Sequence, residues 1–341
     1  MKYNIWNKWD PLEVCMLGNN YAPEFFNGVN DRIADPLKRI CEETLEDLAG
    51  YKEILQQFGV KVIQPGMDPK ERFLDNPHKY PRGPLQPRDH YIVLGNTAYY
   101  TGKDHPAIKS CLDKYGGCVV PTWNKTIPIP MSRYGLSSAT AFQLGKRIDI
   151  GWDNDNSSSL REYLKDWLPE LENFKFVNIL PIEGHSDGTY HPIKPGAILS
   201  LYDVQRYNNL FPDWDVCYLP NQSWKKVKDF IKLKKKNAGK WYLAGETNNN
   251  EFTNFVETWL TDWVGYVEET VFDVNVLMID EHHCCVSNPN NEKVNAFLKK
   301  HNIEKVYVPW RHRYFWDGGL HCITLDLYRK GKQKDYFPEG V

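Results

Sequence analysis

Four times along this chain an amphipathic helical stretch runs into a polar or glycine break, a short β-branched strand and a closing proline. In the clearest copy Leu37, Ile40, Cys41, Leu45, Leu48, Tyr51, Ile54 and Leu55 recur at helical spacing after Pro36; Phe58-Gly59 follows, then Val60-Lys61-Val62-Ile63-Gln64-Pro65. The second copy runs from Ile108 to Tyr115, breaks at Gly116-Gly117 and continues as Cys118-Val119-Val120-Pro121. The third places Leu160 to Leu171 before the strand from Phe174 to Pro181, and the last places Val294, Phe297 and Leu298 before the strand from Ile303 to Pro309. The third and fourth copies are so widely spaced that a fifth fits between them, with Trp224 to Leu233 as its helix. Strand-like runs from Tyr91 to Tyr100, Ala197 to Leu201 and Val274 to Asp280 lie between the copies. The organisation is α/β, and five copies would close a ring.

The totals narrow the function classes. A chain of 341 residues with 41% hydrophobic and 25% charged residues can bury a large core as a soluble protein. A formal charge of -2 argues against nucleic acid as the main partner, because phosphate neutralisation needs a basic surface. No G-x-G-x-x-G or P-loop follows any strand, so nucleotide binding loses support. The eight cysteines have no C-x-x-C or metal-finger spacing and read as reduced thiols. The N-terminus lacks an apolar signal core and no window reaches the ~18 apolar residues of a membrane span, so a cytoplasmic location is expected.

Candidate chemistry gathers in three places. In Gly318-Gly319-Leu320-His321-Cys322 the paired glycines would permit positive φ or close approach of a ligand, and the following residues read as a strand with Cys322 on one face and His321 on the other. Cys322 is the first candidate nucleophile, against the alternative of a buried core thiol. In Glu183-Gly184-His185-Ser186-Asp187 an extended backbone would turn the three ionisable groups one way, so that the acids orient a proton-transferring His185. Asp89, in Pro87-Arg88-Asp89-His90, suits a turn cap or a cationic ligand. Two further clusters are read as structural. His282-His283-Cys284-Cys285 alternates its side chains across a strand, so no metal is expected, and the lysines between Lys225 and Lys240 share their stretch with an apolar stripe of Trp224, Val227, Phe230 and Ile231.

Together Trp9-Asp10-Pro11-Leu12-Glu13, Pro87-Arg88-Asp89, His185-Ser186-Asp187-Gly188-Thr189-Tyr190, Asn275–Asp280 and Gly318–Cys322 stand in an order that resembles the glycine amidinotransferases, of the pentein superfamily. The resemblance implies a single domain over residues 1–341, a five-bladed α/β propeller, and transfer of the amidino group of L-arginine to an amine, glycine by default. It implies Cys322 as nucleophile, His185 as acid and base, Asp89 and Asp187 as partners of the guanidinium, no cofactor or metal, and a possible homodimer. It also exposes two departures. The carboxylate that pairs with the histidine in the family aligns with the segment Gly135–Phe142, where Ser137 and Ser138 stand and no acid is present. Glu183 is then the expected replacement. The carboxylate-binding arginine is displaced, with Arg206 the nearest candidate. The rival readings are a hydrolase of the same superfamily, in which water resolves the covalent intermediate, and a guanidinium-binding protein on the same scaffold.

Overall fold

A computed structural model of the chain describes residues 2–75, 82–100, 105–118, 137–150, 169–178, 185–201, 207–219, 243–264 and 269–337. The expected helix Trp224–Leu233, the lysine-rich stretch, most of the third repeat helix, Val119–Pro121, Glu183 and Arg206 lie outside the described residues.

Within them the strands form five small sheets: β1 (Leu12–Leu17) with β2 (Lys61–Ile63) and β14 (Thr324–Arg329); β3 (Tyr91–Leu94) with β4 (Thr97–Tyr100); β5 (Ala141–Leu144), β6 (Arg147–Ile150) and β7 (Lys175–Asn178); β8 (Tyr190–Lys194), β9 (Ala197–Ser200) and β10 (Asp215–Tyr218); and β11 (Leu277–Asp280), β12 (His283–Val286) and β13 (Glu304–Tyr307). One plan recurs. A hairpin pairs two strands antiparallel, the chain crosses over, and a third strand returns parallel to the second: β5–β6–β7, β8–β9–β10 and β11–β12–β13. The first sheet keeps this order with the last strand of the chain, β14, antiparallel to β1, and β2 parallel to it. A parallel return needs a crossover, which the helices Asp31–Gln57 and Glu292–Lys300 supply. The fold is therefore mixed α/β, as the repeat pattern implies.

Local chemistry sets the element ends. Asn30 and Asn291 cap their helices by accepting the backbone N–H of Arg32 and Val294. The long helix buries Leu37, Ile40, Cys41, Leu48, Tyr51 and Leu55 on one face and stops at Phe58, where Gly59 takes a left-handed φ of 79°. The run from Tyr91 to Tyr100 is not one strand but a hairpin, because Gly95 at φ 53° turns it back on itself.

The five sheets meet through the short turns that lead into β3, β5, β8, β11 and β14. Ser138 N–H donates to Tyr91 O at 2.8 Å, Asp187 N–H to Ala139 O at 3.1 Å, Asn275 Nδ2 to Asp187 O at 3.1 Å, and His321 N–H to Asn275 O at 3.4 Å. Arg88 Nε closes the circuit on His321 O at 2.7 Å and Thr324 O at 2.8 Å. A closed ring of hydrogen bonds thus passes through all five lead-in turns.

Beneath this ring lies a buried ionic group. Asp326 accepts from Arg88 Nη2 at 2.7 Å on one oxygen and from Arg329 Nε at 2.8 Å on the other, and Arg329 Nη2 donates to Met278 O at 2.7 Å. Burial opposes the charge on Asp326, but Arg329, Arg88 and Lys8 hold its carboxyl well below the usual range. Asp326→Ala would leave two buried guanidinium groups uncompensated. Urea unfolding of that variant is expected to lose roughly 3–5 kcal/mol, and a loss under 1 kcal/mol would contradict the assignment.

Candidate active site

Cys322 sits in the turn that precedes β14, not in the strand itself. Ile323 N–H bonds Gly319 O at 3.3 Å and Thr324 N–H bonds His321 O at 3.1 Å, so the backbone coils where alternation would have extended it. This corrects the expected facing of His321 and Cys322 away from each other. The glycine pair is explained by crowding. Neither glycine has positive φ; Asp317, at φ 49°, takes the left-handed position instead. A Cβ on Gly318 would run into Gln86 Nε2, and one on Gly319 would lie 2.6 Å from Asn275 Oδ1. The approach segment is anchored by Trp310 Nε1 on Gly318 O, by Gln86 Nε2 on Trp316 O and by Trp316 Nε1 on Thr44 Oγ1.

The structure brings Cys322, His185, Asp89 and Asp187 to the inner ends of three lead-in turns. Asp187 lies in a 3-10 turn, Ser186–Gly188, so the extended reading of this segment is replaced by one that buries Asp187 completely. Its Oδ2 lies 2.7 Å from His321 Nδ1 and accepts the Cys322 thiol at 3.7 Å. Asp89 Oδ1 stands 3.7 Å from His185 Nδ1, and its Oδ2 stands 3.5 Å from Arg82 Nη2. Oδ1 of Asp89 and Oδ1 of Asp187 are both buried with no hydrogen-bond partner. Two buried carboxylate oxygens that accept no hydrogen bond are acceptors that a planar cation with several N–H groups would satisfy.

Asn275, to which sequence reasoning gave no role, organises the centre. Its Oδ1 accepts the backbone N–H of both His321 and Cys322 at 3.0 Å, and its Nδ2 donates to Asp187 O and to Cys322 Sγ, each at 3.1 Å. One amide therefore fixes the thiol, the turn bearing it and the backbone of Asp187. A usable signal was its offset: Asp89, Asn275 and Cys322 each stand two residues before the first residue of a strand. Ser137 and Ser138, which stand where the family has its acid, serve the backbone. Ser137 Oγ accepts Ala139 N–H within its own turn at 3.2 Å, and Ser138 N–H belongs to the ring.

Burial, together with the charges of Asp187 and Asp89, pushes the Cys322 thiol well above its ordinary pKa, and the hydrogen bonds from Gly319 and Asn275 oppose this only in part. Burial also raises Asp187 to about 6, with His185 and Arg88 lowering it and Asp89 raising it. At rest the site holds a protonated thiol beside carboxylates. The His282–Cys285 segment makes no metal cluster among the described residues: Cys284 and Cys285 point into different cores, and His283 pairs with Asp280 at 2.9 Å.

The chain matches no protein-family model. It is 22% identical to inosamine-phosphate amidinotransferase 1 of Streptomyces glaucescens over 98% of both chains. The mitochondrial glycine amidinotransferase of Xenopus tropicalis is 26% identical over 52% of this chain and 33% of its own length. An L-arginine:L-lysine amidinotransferase of Pseudomonas savastanoi pv. phaseolicola is 22% identical over 59% of this chain and 46% of its own. Across nearly its whole length the chain is a distant relative of the first of these amidinotransferases, and it spans a third to a half of the length of the other two. Among solved structures this amidinotransferase relative superposes on SxtG, an amidinotransferase from Microseira wollei, with a TM-score of 0.66 at 20% identity, covering 99% of this chain and all of the other. It also superposes on a dimethylarginine dimethylaminohydrolase at a TM-score of 0.52 and 12% identity, covering 92% and 99%.

Two outcomes are expected of Asp187→Asn. Removing the charge lowers the Cys322 pKa, so iodoacetamide should label Cys322 faster than in the wild-type chain at pH 8; equal or slower labelling would contradict the coupling. A carboxyl raised from 3.8 to about 6 in the fold contributes stability that is fully present below pH 3.8 and lost as pH rises through about 6. The variant should therefore melt later than wild type at pH 8, by up to about 3 kcal/mol of stability, and the two should converge toward pH 4.

Proposed function

We propose that this protein transfers the amidino group of L-arginine to an amine through a covalent intermediate on Cys322. The observation that carries the proposal is the pair of buried oxygens on Asp89 and Asp187 that accept no hydrogen bond beside that thiol. A guanidinium between them would supply their missing donors. It would also cancel the charges that keep the thiol protonated, so that the thiolate forms when the donor binds.

The chemistry then follows from the neighbours. The Cys322 thiolate attacks the guanidinium carbon Cζ, and the Cζ–Nε bond of arginine breaks as His185 gives that nitrogen a proton, making it the δ-amine of ornithine. Ornithine leaves, and an S-amidino cysteine remains. The acceptor amine loses a proton to His185, attacks the amidino carbon, and the C–S bond breaks to return the thiolate. Asp89, 3.7 Å from His185 Nδ1, orients the imidazole for both proton transfers. Glu183, outside the described residues, is the second acid proposed for this purpose, and Arg206, likewise outside them, is proposed for the substrate carboxylate. The five sheets, tied in a closed ring at their lead-in turns, support reading residues 1–341 as one five-bladed pentein propeller.

Glycine is the default acceptor; lysine and an aminocyclitol phosphate are the alternatives suggested by what the relatives are named for. Incubation with arginine should release ornithine only when an amine is present, and the accepting amine should appear as its guanidino product. Cys322→Ala should abolish release, and Asp89→Asn should raise the KM for arginine about ten- to a hundredfold, the worth of a charged hydrogen bond. Acceptor-independent release of urea, or of citrulline and ammonia, would overturn transfer in favour of hydrolysis. No arginine consumption with any amine would overturn both.

A further inference from the structure

The residue before the thiol is also buried, and the transfer chemistry leaves it unused. His321 is 1% exposed, and its Nδ1 lies 2.7 Å from Asp187 Oδ2. Its ring stacks on Phe142 at 6.0 Å and meets His191 edge-on at 4.6 Å. We propose that His321 is the positioning residue for Asp187: its neutral imidazole donates Nδ1–H to Asp187 Oδ2, which turns the unpartnered Oδ1 toward the donor's guanidinium. This role rests on the amidinotransferase reading of the site.

The tautomer is fixed by the surroundings. Asp187 can only accept from His321 when ionised, which places the proton on Nδ1, and Nε2 is buried with no hydrogen-bond partner. An uncharged ring tolerates that vacancy far better than an imidazolium would. Burial, then Arg88, His191, Lys8 and Arg329, push His321 well below the ordinary histidine pKa, so the ring stays neutral through the working range. It is thus a fixed donor and not a proton carrier. Asp187 is faced in turn by His321, His185, Arg88, Lys8, Asp89, Asn275 and the Cys322 thiol. Among these the 2.7 Å bond from His321 is the short contact to a carboxylate oxygen, and a donor at that distance favours the ionised form.

The test uses the full chain with Cys322→Ser, which blocks turnover, and follows L-arginine binding by calorimetry from pH 5 to 9. Affinity should rise as Asp187 ionises near pH 6. Adding His321→Gln, whose amide reaches the Nε2 side and leaves no donor at Nδ1, should move this rise upward by about one pH unit. Adding His321→Asn, whose amide nitrogen takes the place of Nδ1, should keep it where it was. A Gln profile that does not move, or Asn and Gln profiles that move together, would overturn the role while leaving the functional reading intact. If the Cys322→Ser chain takes up no arginine at any pH, the functional reading falls and the role falls with it. Nitrogen-15 histidine spectra of the same chain read the bond without any substitution at 321. A non-titrating, Nδ1-protonated ring is expected between pH 5 and 9, and a titrating or Nε2-protonated ring would overturn the proposal.

Discussion

The arrangement depends on a ring of hydrogen bonds between five turns. Each turn leads into the first hairpin strand of a sheet, and each is irregular backbone inside the protein, where an unpaired N–H or C=O is costly. Ser138 bonds to Tyr91, Asp187 to Ala139, Asn275 to Asp187, His321 to Asn275, and Arg88 to His321 and Thr324, so every turn is completed by the next. The same bonds that satisfy the backbone therefore set the positions of the side chains on it. Asn275 concentrates this logic, since one amide bonds two backbone N–H groups, one carbonyl and the thiol.

Within that frame the charges are divided between two levels. Below the ring, Asp326 is held between Arg88 and Arg329 with both oxygens paired, and its charge is stabilised. At the ring, Asp187 and Asp89 each keep one buried oxygen that accepts no hydrogen bond, and Asp187 is pushed up to about 6. Similar residues in neighbouring positions thus do opposite things, because Asp326 is clamped by two guanidinium groups while Asp89 has only looser ion pairs to Arg82 and His185, at 3.5 and 3.7 Å, and Asp187 has no short contact to a cation. A cation from outside would find two acceptors already ordered and a thiol whose protonation its own charge would relieve. On the proposed function, stability given up at the site would become affinity and activation on binding the donor.

The sequence carried more of this design than of its geometry. The first and last copies of the helix–strand repeat were legible because helical and strand periodicities differ sharply, and Gly59 and Asn302 mark the stops; the run from Tyr91 to Tyr100 misled because its hairpin turns on Gly95-Asn96 inside an otherwise continuous β-like stretch. Cys322, His185, Asp89 and Asp187 were legible as chemistry, and the structure brings them together. The facing of His321 was not, because alternation presumes an extended chain, and the close approach of Asn275 and Gln86 to Gly319 and Gly318 coils it instead. Asn275 was invisible as a functional residue since its four partners come from segments far apart in sequence. The glycine pair was correctly singled out; of the two reasons offered, positive φ does not apply, and the close approach is made by Gln86 and Asn275.

The covalent step on Cys322 is tested most directly by mixing the protein with L-arginine and no acceptor, quenching in acid, and reading the peptide that contains Cys322 by mass spectrometry. An amidino group on Cys322, matched by one equivalent of ornithine and discharged on adding an amine, is the predicted result. Arginine left intact with Cys322 unmodified, or an amidino group carried by another residue, would contradict the account.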